Sequence, residues 1–315
     1  MLSPFTLIRI LFNVFSVLFV GVFVARLLDA RGVTRGLEAR FGPLLEAFHI
    51  PRPLVMAFFT AFFAAFASEA LISLFVKEGR LEKEDIIPGL MLIDFPNFVS
   101  FAPLILAITV PLVGRAGLYY LMIQLSISAV MTTAGALAFS LRKRARHTEV
   151  EPMDPAPCGV KGALKEAAFI SLRVTFVVFV ALCAVYVLSR LGVMEVALRK
   201  AACLRLPCLG PKVLPISVAH ALHVAAGAAV ARDMMARGLA AHLVALGMVW
   251  GYVLGTPFRG MRLGIPRYCA LFGVKEGIRT WAAVQSLRCA VAALAAALMC
   301  IVSAAVGTAP PSGAF

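Results

Sequence analysis

Asp94-Phe95-Pro96-Asn97 interrupts an apolar run from Ile86 to Val113, and Thr256-Pro257-Phe258-Arg259 closes a second run, Leu239 to Leu254, about 160 residues later. Each puts a proline beside polar side chains in otherwise apolar sequence. A helix in lipid needs every backbone N–H and C=O paired, so breaks survive there only where protein or a water-filled cavity surrounds them. Paired interruptions in corresponding halves of a membrane protein are a sequence pointer to a substrate or ion site. The expectation is an all-α integral membrane protein of two multi-helix repeats with broken or re-entrant helices.

Composition supports a membrane setting. Of 315 residues, 61% are hydrophobic and 15% charged, with a mean hydropathy of +0.93. Soluble domains average about 45–50% apolar and about 25% charged residues. Runs long enough to cross about 30 Å of hydrocarbon recur as Phe5–Leu28, Pro53–Val76, Ile86–Val113, Leu118–Leu141, Phe169–Leu188, Val213–Val230, Leu239–Leu254 and Trp281–Val306. Thirty basic against 16 acidic residues give a net charge of +14. The basic residues fall mainly in short connections between apolar runs, which reads as positive-inside topology and attraction to anionic headgroups. No stretch interleaves bases with aromatics, so nucleic acid is not an expected partner. Seven scattered cysteines form no disulfide framework. Cys203 and Cys208 flank Leu-Arg-Leu-Pro with no second pair, so no zinc knuckle is expected. The first apolar segment lacks a small-x-small cleavage site before Arg26 and reads as a retained span.

A basic then acidic, proline-rich connector at 142–166 separates a first membrane repeat, 1–141, from a second, 167–306, and 307–315 reads as a flexible tail. Across it, Arg9 matches Arg173, Gly32 Gly192, Pro51 Pro211, Gly79 Gly238, Pro96 Pro257, Gly114 Gly273, Gly117 Gly277 and Gln124 Gln285, all at offsets near 160. Basic, Leu-rich stretches at 31–49 and 193–207 suit interfacial helices or plain loops. If Ile86–Val113 crosses fully, each half has four spans, and the basic clusters at 31–40 and 142–146 fall on opposite sides, against the positive-inside rule. Folding back at Pro96 gives three crossings, puts both clusters on the cytoplasmic face and inverts the second half. It also leaves the stretch 199–212 outside. The inverted arrangement is the favoured expectation.

Further motifs carry a resemblance. In the first half they are Ile50-Pro51-Arg52-Pro53-Leu54, Phe66-Ala67-Ser68-Glu69-Ala70, Lys77-Glu78-Gly79-Arg80-Leu81, Asp94-Phe95-Pro96-Asn97 and Pro111-Leu112-Val113-Gly114. In the second they are Leu209-Gly210-Pro211, Ala225-Ala226-Gly227-Ala228-Ala229, Arg237-Gly238-Leu239, Gly255-Thr256-Pro257-Phe258-Arg259 and Phe272-Gly273. Together these resemble membrane proteins with a nucleoside-recognition, or Gate, domain, and specifically an archaeal and bacterial branch with two such domains in tandem. The resemblance covers most of the chain and implies a Gate-type membrane module. Similar modules occur in ferrous-iron transport protein B, spore maturation proteins A and B and, more distantly, concentrative nucleoside transporters. The family often has Ser-Pro in the middle of the second span. Here Ser68 is followed by Glu69, and the second half has Leu222-His223, so whether those spans unwind is left to the structure. No G-x-x-x-x-G-K-[ST] loop is present, so energy coupling like the iron transporter's is not implied.

The chemistry-bearing candidates lie at or near the breaks. Glu69 and Asp94 are carboxylates deep in apolar sequence, where such groups pair or line a wet cavity. They read as cation or proton ligands or as hydrogen-bond partners of a polar solute, and Asp94 also suits capping of a half-helix. Ser68, Asn97 and Thr256 add polar groups, and Arg259 suits an anionic group, a carboxylate or the interface. His220 and His223, three apart, would share a helix face; they are weak metal candidates without a third ligand, and interhelical hydrogen bonding fits better. Gln124, Ser128 and Thr132 form a polar stripe echoed by Gln285 and Ser286, suited to joining helices or lining a pore. No enzyme signature and no cofactor motif stands out. The function expected is a multi-pass cell-membrane permease for a small polar solute, nucleoside-like or a cation, with its site at the paired breaks. The alternative is a scaffold that moves nothing. Partners are the lipid bilayer, the solute or ion, and a second copy or a membrane subunit.

Overall fold

The computed structural model describes residues 48–141 and 213–305, with parts of 160–176 and scattered positions before residue 24. The basic stretch 193–207, nearly all of 31–49, most of the connector, Arg9, Arg173 and the tail 307–315 lie outside the described residues. Among those described the structure is helical, with no strand. In chain order the helices are α1 (Pro53–Ala61), α2 (Ala65–Lys77), α3 (Ile86–Leu92), α4 (Asp94–Val113), α5 (Arg115–Leu141), α6 (Leu214–Leu222), α7 (Val224–Ala236), α8 (Ala241–Arg259), α9 (Ile265–Phe272) and α10 (Val274–Ala305). Among the described residues three helical stretches are long and apolar enough to cross a membrane, Arg115–Leu141, Ala241–Phe272 and Val274–Val302, or four if the bent pair Lys83–Leu92 and Asp94–Pro103 is one span. The second is mostly buried, whereas the other two are buried over only about a quarter of their length.

The breaks differ from those expected. Pro96 breaks nothing: it is the third residue of α4, in a first turn whose N–H groups have no intrahelical partner anyway. The run is interrupted one residue before Asp94 instead: it bends by 42° between Lys83–Leu92 and Asp94–Pro103, around Ile93, as a broken span or a re-entrant loop does. Thr132 of α5 clamps this bend, because its Oγ1 accepts the Phe95 N–H at 2.9 Å and lies 3.1 Å from the Leu92 carbonyl. Gly135, one turn further along, lets α5 pass close to the end of α3, where an added Cβ would meet Leu92 N at 2.6 Å. Pro257 likewise lies inside α8, which continues to Arg259 and then through a π-helical turn, Gly260–Gly264, into α9.

The sharper breaks fall in the spans left open above. α1 and α2 are parted by Phe62–Ala64, with Ala64 at φ −149° and ψ 82°. α6 and α7 are parted by a single residue, His223, at φ −160° and ψ 136°. Its Nδ1 accepts the Ala225 N–H at 3.2 Å, so the imidazole caps α7. Both unwound points are 159 residues apart and neither contains proline.

Other local devices recur at the same spacing. α2 and α7 both end with a left-handed glycine, Gly79 (φ 72°) and Gly238 (φ 89°), a conformation that costs a residue with a Cβ. In each, the next N–H reaches back five residues, Arg80 to Phe75 and Leu239 to Met234, satisfying carbonyls the helix end would leave bare. Gly114 and Gly273 turn the corners α4–α5 and α9–α10.

By contacts the chain forms two compact units. The first comprises Met1–Ser100, Ala129–Leu182 and Ile265–Val284; the second comprises Phe101–Ser128, Cys183–Gly264 and Gln285–Phe315. Each unit thus contains a helical corner from the other half of the sequence. In the second unit, α8 presents Gly247, Gly251 and Gly255 to α6 at a four-residue spacing. Added Cβ atoms there would meet Val213, His220 and Ala221 at 2.9, 2.6 and 2.6 Å respectively. Small residues at this spacing let helix backbones approach in the manner of membrane helix pairs. Ser217 Oγ then donates to the Gly247 carbonyl at 2.9 Å.

Candidate functional site

In the first unit, polar groups gather beside the α1–α2 break. Ser68 and Glu69 lie in the first turns of α2, and both are buried. Glu69 receives Arg267 of α9 on both oxygens: Nη2 donates to Oε1 at 3.0 Å, while Nε lies 2.8 Å from Oε2 but out of line for a hydrogen bond. The guanidinium also sits 4.4 Å from the Phe66 ring centre and 5.6 Å from that of Tyr268. A planar guanidinium held between a carboxylate and aromatic faces suits Arg and not Lys. Ser73 of α2 ties α9 down further, donating to the Leu271 carbonyl at 2.6 Å.

Asp94 and Asn97 join this cluster from the first turn of α4. Ser68 Oγ lies 3.2 Å from Asn97 Oδ1 and 2.7 Å from the Ala65 carbonyl. Asp94 is buried and close enough to Glu69 for the two carboxylates to interact electrostatically. Four of the five first-half candidates, Ser68, Glu69, Asp94 and Asn97, therefore lie together, and the fifth, Gln124, bonds to Tyr120 instead. Among the described residues two carboxylates and one guanidinium meet here.

The second unit holds a different constellation. Pro257 removes the donor for the Val253 carbonyl, and its ring crowds the turn before it. In that turn the Tyr252 carbonyl accepts Thr256 Oγ1 at 2.8 Å and Arg259 Nη2. Arg259 Nη2 also lies 3.4 Å from Thr256 Oγ1. Two guanidinium groups flank the Tyr252 ring, Arg259 at 5.0 Å and Arg288 at 5.6 Å from its centre. Arg288 Nη2 donates to Ser128 Oγ at 3.1 Å. Ser128 and Arg288 are themselves 160 residues apart, so α5 and α10 meet at equivalent register positions.

His220 and His223 do not share a face. The helix ends between them, leaving His220 buried and His223 exposed as a cap. His220 Nε2 lies 3.1 Å from Tyr120 Oη, whose oxygen also accepts Gln124 Nε2 at 3.4 Å. Among the described residues no group of three His, Cys, Asp or Glu side chains is placed to hold a metal. Ser128 and Thr132 of the stripe join helices, whereas Gln124 bonds within α5 to Tyr120 and Gln285 is half-buried on α10.

Arg267, Arg288 and Tyr120 were absent from the sequence-derived set. Arg267 and Arg288 carry a legible signal, being charges within or beside apolar runs. Arg267 follows Arg259 and Arg262 closely and so resembles an interfacial basic end. Tyr120 carries no such signal.

No family model matches the sequence, so the likeness to Gate modules rests on the motifs quoted above. No solved structure matches either. The chain is similar to an archaeal protein, the uncharacterized protein MJ0871 of Methanocaldococcus jannaschii, at 21% identity over 263 residues, covering 82% of this chain and 83% of that one.

Proposed function

We propose that this chain is a multi-pass membrane permease of two Gate-like repeats that binds a small polar solute together with a proton or cation at its unwound helices. The single observation that carries the reading is the buried Glu69–Arg267 pair, joined by Asp94, Ser68 and Asn97 beside the α1–α2 break. Charged groups among apolar helices are expensive and mark solute or ion paths by default. Backbone freed by an unwound helix supplies further ligands at the same place. The duplicate reading draws on the matched breaks at Ala64 and His223 and the matched helix ends at Gly79 and Gly238. In this view Glu69 and Asp94 take up the cation, and the resemblance of the motifs makes nucleosides the first neutral solutes to try.

The test is uptake into proteoliposomes scanned over nucleosides and divalent cations, with and without an imposed proton gradient. The expected result is gradient-dependent uptake of at least one solute that Glu69→Gln and Asp94→Asn abolish. A panel that nowhere rises above empty vesicles would overturn the permease and favour the scaffold. Activity indifferent to both substitutions would remove the site.

A further inference from the structure

We propose that the second unit holds its own binding site for a neutral group that both donates and accepts a hydrogen bond, such as a carboxamide, formed by Tyr120, Gln124 and His220 beside the α6–α7 break. This rests on the permease reading for the site's role and deepens it by naming the solute chemistry recognised there.

The place corresponds to that of the first site. α2 opens with the Ser68 N–H donating to the Ala64 carbonyl at 3.1 Å, and α7 with the Gly227 N–H donating to the His223 carbonyl at 3.0 Å. Ser68 and Gly227 are thus matched positions, 159 residues apart. Where α2 carries a hydroxyl, α7 carries no side chain, and the imidazole of α6 takes the space. A Cβ on Gly227 would meet His220 Cβ, and Nδ1 at 2.8 Å. On the other edge of the ring, a Cβ on Gly251 would meet Cδ2 at 3.2 Å. His220 itself matches Ala61 of α1 at the same offset, so the polar group has passed from one helix of the pair to the other.

The three side chains cannot satisfy one another. Gln124 Nε2 donates to Tyr120 Oη at 3.4 Å, and His220 Nε2 lies 3.1 Å from the same oxygen. Tyr120, Gln124 and His220 are only 3, 1 and 0% exposed. Among the described residues Gln124 Oε1 and His220 Nδ1 have no hydrogen-bond partner. If the phenol donates to Nε2, the imidazole proton sits on Nδ1 without an acceptor; if Nε2 donates, the phenol proton lacks one. In both cases the amide oxygen lacks a donor. Turning the amide over only moves the spare donor to its nitrogen and the spare acceptor to Nδ1. Every arrangement of the neutral triad leaves at least one donor and one acceptor over, and buried groups are seldom left so without a water or a ligand. A carboxamide supplies the C=O and the N–H that are missing. A simple anion answers only the donor and a simple cation only the acceptor. Arg259 and Arg288 are in electrostatic range of Tyr120, which makes an anion the competing class.

The test is nitrogen-15 NMR of the histidine-labelled full chain in phosphatidylcholine nanodiscs, titrated with acetamide, acetate and acetamidinium. The three probes share a size and differ in what they donate and accept. His220 is assigned by replacing the other four histidines one at a time. Acetamide is expected to shift the His220 ring resonances saturably, and neither ion to do so at the same concentrations. Tyr120→Phe and Gln124→Leu are each expected to weaken acetamide binding roughly tenfold, the loss of one buried hydrogen bond. Should both variants fail to fold, the three-probe comparison still decides. No saturable shift with acetamide, which would leave an ordered water as the occupant, would overturn the proposal. So would an equal shift with either ion, or folded variants that bind as the parent does. Acetamide binding by a chain that moves nothing in proteoliposomes would leave this site standing and remove the permease. Uptake of a solute by a chain that acetamide does not touch would do the reverse.

Discussion

At the scale of single residues, the Glu69–Arg267 pair carries the most consequence. Removing one member of a buried pair strands the other charge and costs about 3–5 kcal/mol, whereas replacing both by apolar residues of similar volume is often neutral. Glu69→Leu and Arg267→Leu are therefore each expected to lower the melting temperature of the detergent-solubilised protein strongly. The double variant should recover most of that loss yet stay inactive in uptake. Additive losses would mean that the pair does not act as a unit. Glu69, Asp94, Ser68 and Asn97 were legible in the sequence because polar groups in apolar runs are conspicuous. Their pairing with Arg267 was not, since it lies 198 positions from Glu69 and only tertiary structure brings it there. The histidine spacing misled for a local reason. Three residues define one face only if the helix continues, and it stops at Leu222.

At the scale of elements, proline was the wrong marker for the strongest breaks. Pro96 sits where a helix tolerates proline, and Pro257 perturbs α8 without ending it. Ala64 and His223 are unwound by their surroundings, and nothing in their own side chains announces it. The glycine ladder of α8 was readable, as Gly247-x-x-x-Gly251-x-x-x-Gly255, and is the clearest signal that sequence reading passed over. Gly251 is a tight rung: an added Cβ would sit 2.6 Å from His220 Cβ and 2.7 Å from the Ser217 carbonyl oxygen. Gly251→Ala is thus expected to cost about 1–3 kcal/mol, the usual range for overpacking a filled interior. Thermal unfolding of the purified variant checks this, and a change within a degree of the parent would show that α6 and α8 part easily. The matched glycines behaved differently. Gly79 with Gly238 and Gly114 with Gly273 do mark equivalent helix ends, because a left-handed turn leaves few alternatives to glycine.

At the scale of the molecule, the division at 142–166 describes the sequence and not the contacts. Each compact unit draws on both halves, with Ile265–Val284 in the first and Phe101–Ser128 in the second. Tyr120 with His220 and Ser128 with Arg288 are bonds within one unit between residues of different halves. Chains 1–141 and 167–306 expressed separately are therefore expected to be degraded or to aggregate, and to give a protease-resistant complex only when co-expressed. Either half surviving limited proteolysis alone would contradict this. Such interleaving was invisible in the sequence, since matched offsets establish which positions correspond without saying which of them meet. It also imposes an order on synthesis. While the ribosome is still adding the residues between Glu69 and Arg267, the carboxylate is already in place with no counter-charge. An insertase or chaperone that shields the nascent first half, or a protonated Glu69 awaiting its arginine, would bridge that interval. A stalled or truncated translation product would present quality-control proteases with that same exposed acid.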